Sequence, residues 1–468
     1  MAIKLYNSLS QKKEEFVPID GNAVNMYTCG VTVYDQCHIG HARSLYIFDV
    51  IRRYLKFRSF DVRFVRNITD VDDKIIQKAI ESKTEAKDIS EEQIRFYYQD
   101  MKSLGVIPGD VEPKATDNIS DMIVHIEGLI TKHNAYATSD GDVYFNVRSF
   151  KDYGKLSGQS IDQMLEGVRI EKDSKKNDPL DFALWKSAKP GEPYWDSPWG
   201  RGRPGWHIEC SCMSMKHLNT QTLDIHAGGR DLIFPHHENE VAQSEALTGQ
   251  TFAKYWIHHG LLTINGQKMS KSIGNFITIK DALAKYTVDE IKFFFLFSHY
   301  RSAIDFSEAK MIDARKALAK FDVLFYRAAQ LLDKKDVEPV QAGFITKYKN
   351  EFIDAMDDDF NTPKAIAALF CLINDTNTYM DQNSKDENYL GIIYHAVDLL
   401  ENLGRNILGL FSNEREMVLS VDLQALLDER QGARQQKNFK RSDELRDLLK
   451  ARGVLVEDSK SGQTWRWI

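Results

Sequence analysis

Two histidines near the N-terminus are placed where they could bind a phosphate group. His38 and His41 follow the apolar, β-branched residues 31–34, and the apolar positions of residues 42–57 recur at helical spacing. This pattern predicts a strand that leads into a helix, with both imidazoles at the junction. Backbone N–H groups at a helix N-terminus attract phosphate, and imidazoles three residues apart can donate to the same phosphate.

A second segment, past the middle of the chain, provides cations. Lys268 and Lys271 lie within five residues that also carry two serine hydroxyls, flanked by Gly266 and Gly274. The glycines are typical of a mobile loop, and two ammonium groups can neutralise charge that develops on a polyphosphate. Together with the two histidines, this loop predicts an ATP site. Gly40, between the histidines, would let the base or ribose of ATP approach the backbone closely.

The residues around these motifs resemble the signatures of a known enzyme class. Residues 29–43, 205–211 and 234–240 are similar to three signatures of the cysteinyl-tRNA synthetase family, one of the class I aminoacyl-tRNA synthetases. The resemblance extends from Leu5 to Trp467. It implies that the chain activates L-cysteine with ATP to cysteinyl-adenylate and transfers cysteine to the 3′ end of tRNA(Cys).

The resemblance also implies a fold and its division along the chain. The expected fold is an α/β Rossmann-like parallel-sheet catalytic domain with an inserted connective domain, followed by an α-helical bundle and a small C-terminal α+β domain. Alternating strand and helix patterns between residues 24 and 120 agree with a parallel sheet. The expected domains are the first half of the catalytic domain (1–120), the insertion (121–204), the second half (205–257), a stem-contact region with the lysine loop (258–320), the helical bundle (321–415) and the anticodon-binding domain (420–468).

Cysteine, histidine and glutamate residues suggest a metal site, although spacing alone leaves its ligands open. His236 and Glu240 lie four residues apart on a predicted helix, where one face could hold both. His237 would serve with Glu240 almost as well, and Cys212 could replace Cys210. The resemblance selects the ligands of one zinc ion: Cys29, Cys210, His236 and Glu240. Zinc in a thiol-rich site prefers thiolate, so it would bind the sulfur of cysteine in preference to the hydroxyl of serine.

Three further sets of site residues are implied by the resemblance. The cysteine-binding residues are Gly30, Thr32, Thr69, Trp206 and His226. The ATP-binding residues are His38, Gly40, His41, Asp231 and Lys271, with Mg²⁺ expected to accompany ATP. The catalytic residues are His38, His41, Lys268 and Lys271. Taken singly, Trp206 and His226 would more often be core residues, and a lone five-residue basic loop is usually only solvated.

The C-terminal segment has a local excess of positive charge. Residues 430–452 contain eight Lys or Arg against three Asp or Glu, in a chain whose formal net charge is −7. The basic residues lie on a predicted helical hairpin, and Trp465 and Trp467 follow it. Cations and aromatic faces suit a single-stranded RNA loop, which favours the tRNA anticodon as the partner. The alternative is a solvated charged helix with core tryptophans.

Composition sets broader limits. The 468 residues exceed what one hydrophobic core supports, so several domains are expected. Five cysteines without regular spacing indicate thiols or metal ligands and a reducing compartment. Neither an apolar N-terminal signal nor a window of about 18–20 apolar residues is found, so we expect a cytoplasmic protein without a membrane segment. We also expect a monomer.

Two alternative functions remain open at this stage. One is a ligase that resembles the same catalytic domain but joins activated cysteine to an amino sugar. Such a ligase would not need the basic hairpin and the terminal aromatic residues. The other is a non-catalytic RNA-binding or regulatory protein that keeps the fold. Decay of one of the two ATP motifs would indicate it, and both motifs are intact.

Overall fold

The computed structural model describes residues 2–167, 175–270, 273–332, 336–411, 421–452, 454–459 and 462–467. The chain forms two compact units. The N-terminal unit comprises Met1–Val288, Ser298–Phe306 and Met356–Asn361, and the C-terminal unit comprises Asp289–Phe297, Ser307–Ala355 and Thr362–Ile468.

The elements follow one another along the chain as strands and helices of very different lengths. The strands are β1 (Lys4–Asn7), β2 (Lys12–Glu15), β3 (Ala23–Thr32), β4 (Asp61–Thr69), β5 (Ala135–Ala137), β6 (Val143–Phe145), β7 (Phe182–Ser187), β8 (Gly202–Pro204), β9 (Leu223–Gly229), β10 (Ala253–His259), β11 (Leu262–Ile264), β12 (Gln267–Lys268), β13 (Ile304–Phe306), β14 (Val454–Ser459) and β15 (Gly462–Trp467). The helices are α1 (Ile39–Phe57), α2 (Asp73–Ser82), α3 (Ala86–Ser103), α4 (Ile119–Thr131), α5 (Ile161–Gly167), α6 (Trp206–Leu218), α7 (Glu238–Thr248), α8 (Ile279–Leu283), α9 (Val288–Leu296), α10 (Glu308–Leu332), α11 (Gly343–Asp357), α12 (Thr362–Gln382), α13 (Tyr389–Glu401), α14 (Val421–Gln435) and α15 (Phe439–Ala451).

A four-stranded parallel sheet forms the centre of the N-terminal unit. Its strand order is β10-β9-β3-β4, and every neighbouring pair is parallel. All seven residues of β9 are buried, as expected for a strand covered on both faces. The carboxyl ends of the four strands meet at one edge, where ligands gather in open α/β sheets. The predicted α/β fold with a parallel sheet is confirmed.

A second sheet of the N-terminal unit is antiparallel. Its order is β5-β6-β7-β8, and α4 packs against it. The buried Trp185 and Phe145 belong to the apolar cluster beneath this sheet, which also includes Met213 of α6. Apolar packing therefore fixes α6 relative to the sheet, and α6 is one of the helices that carry the site described below.

Strand and helix bounds differ in places from the sequence pattern. The β-branched run predicted over residues 31–34 ends as a strand at Thr32, and residues 33–34 form a turn. Helix α1 begins at Ile39 rather than at residue 42, because the His38 side chain caps its first turn.

The C-terminal unit is largely helical. Its core contains an aromatic cluster in which the Phe321 ring lies 5.3 Å from the rings of both Phe370 and Phe411. Helices α14 and α15 form a hairpin, and the antiparallel strands β14 and β15 follow it. No helix in the described part of either unit is both long and apolar enough to cross a membrane.

Candidate active site

Four side chains from distant parts of the sequence, three of them buried and Cys29 half-buried, form a group here called the thiol–imidazole cluster: Cys29, Cys210, His236 and Glu240. Their potential ligand atoms all lie within 4.8 Å of one another. Cys29 comes from β3 and Cys210 from α6, whereas His236 lies in the irregular turn that precedes α7 and Glu240 lies in the first turn of α7. His236 Nε2 lies 3.0 Å from Glu240 Oε1. The structure therefore brings together the quartet that the sequence resemblance selects.

A second donor set shares two members with the cluster. Cys29, His226, His237 and Glu240 also have donor atoms within 4.8 Å of one another. His237 Nε2 lies 3.2 Å from Cys29 Sγ, and His226 Nε2 lies 2.8 Å from Glu240 Oε2. The geometry therefore also allows His237, the alternative ligand that the sequence offered, to serve with Glu240.

Cys212, the alternative to Cys210, does not face the cluster. Cys212 is buried in the apolar cluster beneath the second sheet, and it is part of neither donor set found among the described residues. Burial raises the pKa of its thiol to about 12. Cys212 is therefore a core residue, whereas Cys210, two positions earlier on α6, faces the cluster.

One imidazole of each donor set is held through its second ring nitrogen. His236 Nδ1 lies 2.9 Å from His207 Nδ1, and His237 Nδ1 lies 2.8 Å from His258 Nε2. His258 in turn reaches Ser8 Oγ at 2.7 Å. Histidines that ligate metals commonly use their second ring nitrogen in this way, which fixes the tautomer and the ring orientation.

Charges inside the cluster compensate one another. Burial opposes ionisation, but His226 and His236 outweigh it and hold the pKa of Glu240 well below its usual range. Burial also acts against a charged His236, yet Glu240 and Cys210 raise its pKa to about 10. Burial works against a Cys210 thiolate too, but hydrogen bonding from Cys29 together with His236 lowers its pKa to about 6. A carboxylate and a thiolate thus lie beside a protonated imidazole. With that proton released, the three groups are a donor set that zinc binds.

The residues predicted to bind cysteine surround this cluster. The Trp206 ring stacks on the His236 ring with centroids 4.1 Å apart and is 38% exposed, so it covers the cluster from the solvent side. His226 Nε2 contacts Glu240 Oε2, and the His226 ring stacks on Trp256. Thr32 and Thr69 are opposite each other in the register of β3 and β4. Gly30 directly follows Cys29.

His38 and His41 form a stacked pair at the start of α1. The ring centroids lie 3.6 Å apart, and His38 Nδ1 accepts hydrogen bonds from the backbone N–H groups of Gly40 and His41 at 3.1 and 3.2 Å. His41 Nδ1 accepts from the His38 backbone N–H at 3.3 Å. Because both Nδ1 atoms are acceptors, a neutral ring carries its proton on Nε2, and both Nε2–H groups are donors.

Burial keeps these two imidazoles neutral. It lowers the pKa of His38 to about 4, and burial together with the neighbouring His38 lowers the pKa of His41 well below its ordinary value. Gly40 is required for the stacked arrangement, because a Cβ there would lie 2.9 Å from Cε1 of His38. The structure thus gives Gly40 a packing reason in addition to the predicted approach of ATP.

The lysine loop is tied at both ends within its described part. Asn275 Oδ1 accepts from the Ser270 backbone N–H at 2.8 Å, and Asn275 Nδ2 donates to the Lys268 carbonyl at 3.1 Å. Gly266 and Gly274 have φ angles of 76° and 75°, which favour glycine. Lys268 is exposed at the end of β12. Lys271, the predicted ATP contact, lies outside the described residues.

Backbone pairing holds the loop beside the start of α1. The backbone N–H of Ile39 donates to the Ile277 carbonyl at 3.0 Å, and that of Ile279 donates to the Cys37 carbonyl at 2.9 Å. Met269 Cε would lie 3.6 Å from a Cβ placed on Gly40. The structure therefore brings the two motifs of the predicted ATP site together. Residues 38–41 and 266–275 are called the phosphate segment below.

Asp231 occupies the end of a central strand. It follows β9, and its Oδ1 would lie 2.5 Å from a Cβ placed on Gly229. The carboxylate therefore folds back over the glycine, and any side chain at position 229 would displace it. Asp231 is exposed at the carboxyl edge of the sheet, where a ribose could reach it.

Sequence reasoning missed several buried polar residues that support the cluster. Asn67 and Glu209 are each 1% exposed, and both contact Thr69: Asn67 Nδ2 donates to Thr69 Oγ1 at 3.1 Å, and Thr69 Oγ1 donates to Glu209 Oε2 at 2.8 Å. His207 and His258 are the two supports of the ligand imidazoles. The sequence offered little signal for Asn67, because it is one of five polar residues among the nine of β4.

The basic hairpin of the C-terminal unit uses part of its charge internally. Arg430 is fully buried and donates to Asp458 at 3.0 and 2.9 Å and to Gln463 at 2.7 Å. Trp465 is 3% exposed and packs against Tyr326. These two residues are structural, so Trp465 is a core tryptophan rather than a stacking face. Lys437, Lys440 and Lys450 are among the exposed cations of the hairpin that could meet a phosphate backbone.

The whole chain is similar to known proteins. Residues 15–316 match the family described as tRNA synthetases class I (C) catalytic domain, residues 351–412 match the DALR domain, and residues 418–466 match the Cysteinyl-tRNA ligase anticodon binding domain. The chain is 48% identical to a "Cysteine--tRNA ligase" of Sulfurihydrogenibium sp. (strain YO3AOP1) and 46% identical to one of Persephonella marina, and both alignments cover 100% of each chain.

Among solved structures, methionyl-tRNA synthetase of Mycobacterium tuberculosis in complex with methionyl-adenylate has a similar fold. The TM-score is 0.66 at 15% sequence identity, and the match covers 83% of this chain and 92% of that chain. The parallel-sheet fold and the catalytic-domain match define a class I aminoacyl-tRNA synthetase.

The full-length relatives narrow this class further. The chain belongs to the cysteine–tRNA ligase family. It activates L-cysteine with ATP to cysteinyl-adenylate and transfers cysteine to the 3′ end of tRNA(Cys). The predicted family, enzyme class and reaction are confirmed, so the amino-sugar ligase and the non-catalytic protein are set aside.

Proposed function

We propose that this ligase selects cysteine through one zinc ion held by the thiol–imidazole cluster. The observation that carries the proposal is the convergence of two sulfurs, one imidazole nitrogen and one carboxylate oxygen within 4.8 Å at a buried position. This donor set fits tetrahedral zinc, and the contact of His236 with His207 provides the outer support that zinc ligands commonly have. Bound zinc would supply a position that prefers the substrate's sulfur to serine's hydroxyl oxygen.

Side chains around the cluster position the rest of the amino acid. Trp206 covers the substrate from the solvent side and excludes water. Gly30 and Thr32 bind the polar end of cysteine, next to Cys29. Thr69 Oγ1 already donates to Glu209, so it offers the substrate an acceptor, which suits the α-ammonium group. His226 orients Glu240 through the contact between its Nε2 and Glu240 Oε2.

The phosphate segment binds ATP and stabilises the transition state of activation. The substrate carboxylate attacks the α-phosphate in line, and pyrophosphate leaves. The Nε2–H groups of His38 and His41 donate to phosphate oxygens as neutral donors, and Lys268 and Lys271 neutralise the charge that develops. Asp231 accepts from the ribose hydroxyls. Mg²⁺ accompanies ATP as part of the substrate, without an assigned protein ligand.

The 3′-terminal adenosine of tRNA(Cys) then attacks the carbonyl carbon of the adenylate, and AMP leaves. We assign the anticodon to residues 420–468, stem contacts to residues 258–320 and the bundle to residues 321–415. The insertion, residues 121–204, divides the catalytic domain into residues 1–120 and 205–257. All five cysteines are free thiols, which agrees with a reducing cytoplasm, and we assign the enzyme as a monomer.

A charging assay tests the zinc proposal directly. Labelled cysteine and, separately, labelled serine are offered to the zinc-loaded enzyme with ATP and a tRNA(Cys) transcript, and metal content is measured by elemental mass spectrometry. We expect one zinc per chain and charging with cysteine only. Cysteine selectivity that persists after complete removal of the metal would contradict the role of zinc.

Charge reversal in the full-length enzyme tests the anticodon assignment. Changing Lys437, Lys440 and Lys450 to Glu should lower tRNA charging by about 10²-fold, because phosphate contacts are lost, while cysteine-dependent pyrophosphate exchange stays unchanged. Lys385→Glu, on an exposed loop elsewhere in the C-terminal unit, is the matched control. Equal losses in charging for both variants would contradict the assignment.

A further inference from the structure

A β-bulge lies where strand β3 supplies Cys29. The parallel register pairs Thr28 with Arg66 and Val31 with Ile68, so the two residues Cys29 and Gly30 stand opposite the single residue Asn67. An extra residue on one strand bends it and re-aims its side chains, and such bulges are frequent next to active sites.

The extra residue decides which side chains share a face with Cys29. Successive residues of a regular strand point to opposite faces, so residues 29 and 32 would lie on opposite faces. The bulge shifts the alternation by one, and Thr32 comes to lie opposite Thr69 on β4. Asn67 is two residues before Thr69 and contacts it, so both occupy that same face.

Asn67 makes contacts on both sides of the bulge. Its Oδ1 accepts from the Gly30 backbone N–H at 2.7 Å, a bond that replaces the regular ladder bond missing at the bulge. The same oxygen lies 3.7 Å from Cys210 Sγ, and its Nδ2 donates to Thr69 Oγ1 at 3.1 Å. The backbones are also in close contact, because a Cβ on Gly30 would lie 1.6 Å from the Asn67 carbonyl oxygen.

We propose that Asn67 is a positioning residue that holds the bulge closed and thereby sets both the metal affinity of Cys29 and the orientation of Thr69 toward cysteine. Its two ends act separately. The oxygen fixes Gly30 and hence the direction of the neighbouring Cys29 side chain, whereas the amide nitrogen fixes the Thr69 hydroxyl. This inference builds on the proposed zinc site and concerns a residue outside the predicted ligand and pocket sets.

The two roles can be separated with variants of the full-length enzyme. Asn67→Ala removes both bonds. Asn67→Asp keeps an oxygen acceptor for the Gly30 N–H but cannot donate to Thr69, and Thr69→Val removes only the hydroxyl. Asn134→Asp, which loses an amide-to-hydroxyl bond to Ser149 in the loops that flank β5 and β6, is the matched control. Zinc affinity is measured by competition with a chromophoric chelator, thiolate coordination by the absorbance of the cobalt-substituted protein, and the KM for cysteine by pyrophosphate exchange.

We expect Asn67→Ala to weaken zinc binding by about 10- to 100-fold, the range typical of residues that orient metal ligands. Asn67→Asp should restore zinc affinity to within about threefold of wild type and, like Thr69→Val, raise the KM for cysteine by about tenfold. Zinc affinity of Asn67→Ala equal to wild type, or of Asn67→Asp as weak as Asn67→Ala, overturns the inference.

A second variant and the wild-type protein cover the two remaining results. If Asn67→Ala does not fold, Asn67→Ser, whose oxygen is one atom too short to reach the Gly30 N–H, is measured in its place against the same criteria. Failure of the wild-type protein to bind zinc would refute the proposed zinc site itself, whereas zinc binding by wild type and all variants alike refutes only the role of Asn67.

Discussion

The thiol–imidazole cluster and the phosphate segment show two different ways of building a site. The cluster collects Cys29, Cys210 and Glu240 from three elements, and a second layer of polar residues lies behind them. Cys29 is half-buried, whereas Cys210 and Glu240 are buried. The phosphate segment consists of a helix N-terminus and a loop whose Lys268 is exposed, and the two are joined by backbone pairing.

The difference agrees with the proposed roles of the two sites. Telling sulfur from oxygen requires donor atoms held at fixed positions, because a loosely held set accepts the wrong ligand. Binding ATP and releasing pyrophosphate requires part of the site to open and close. The proposed roles therefore account for a tightly held donor set in one region and an exposed lysine in the other.

The histidines of the two regions differ in pKa. Glu240 and Cys210 overcome burial and raise the pKa of His236 to about 10, whereas His38, which burial alone dominates, has a pKa of about 4. His236 has negatively charged partners that stabilise a cation, whether a proton or a metal ion. His38 stays neutral, with Nδ1 accepting from the first N–H groups of α1 and the Nε2–H group left as a donor.

The largest expected effect separates Cys210 from its neighbour on α6. Cys210→Ala should abolish zinc binding and lower cysteine activation by about 10⁴-fold, because the buried site is left without a required partner. Cys212→Ala should keep both properties, since that thiol lies in the apolar core. Elemental analysis and pyrophosphate exchange measure the pair, and loss of zinc in Cys212→Ala would contradict the comparison.

Lys271→Ala should affect the other region alone. We expect kcat for adenylate formation to fall by about 10³-fold through loss of transition-state charge stabilisation, with zinc content and the KM for cysteine unchanged. Lys285→Ala, an exposed lysine beyond α8, is the control. An equal rise in the KM for cysteine would show that the two regions are not independent.

His38→Asn sharpens the comparison within the phosphate segment, because asparagine also caps helices well. The variant keeps the acceptor for the first N–H groups of α1 but loses the Nε2–H donor. We expect kcat for adenylate formation to fall by about 10²-fold with an unchanged melting temperature. His38→Ala should in addition lose about 1 kcal/mol of stability. A drop in the melting temperature of His38→Asn as large as that of His38→Ala would contradict the assignment.

The smallest expected effect concerns a buried neutral histidine outside both regions. Burial lowers the pKa of His125 in α4 to about 4, so between pH 6.5 and 4 the unfolded chain binds this proton more readily than the folded one. The free energy of unfolding therefore falls as the pH falls through that window and is insensitive to His125 above it. Between pH 7 and 5, urea unfolding of His125→Gln should lose about 2 kcal/mol less than wild type. Equal losses would show that folding does not lower the pKa of His125.

Local patterns predicted much of this molecule. The periodicity of residues 42–57 predicted α1, the alternation between residues 24 and 120 predicted the parallel sheet, and the three signatures predicted the family; fold class and function are confirmed. The roles of the site residues stay predictions. The true start of α1 was missed, because it depends on the His38 side chain folding back onto its own helix.

By itself, the sequence determined the chemistry available and the elements that carry it, since helix and strand periodicity are properties of neighbouring residues. Only the tertiary structure decided that Cys210 faces Cys29 while Cys212 enters the core, and that His236 and His237 both reach Glu240. Those choices depend on strand register, on a one-residue bulge and on the packing of α6 and α7. Contacts between residues about two hundred positions apart leave no periodic trace in the chain, so only the folded arrangement fixes which side chains meet.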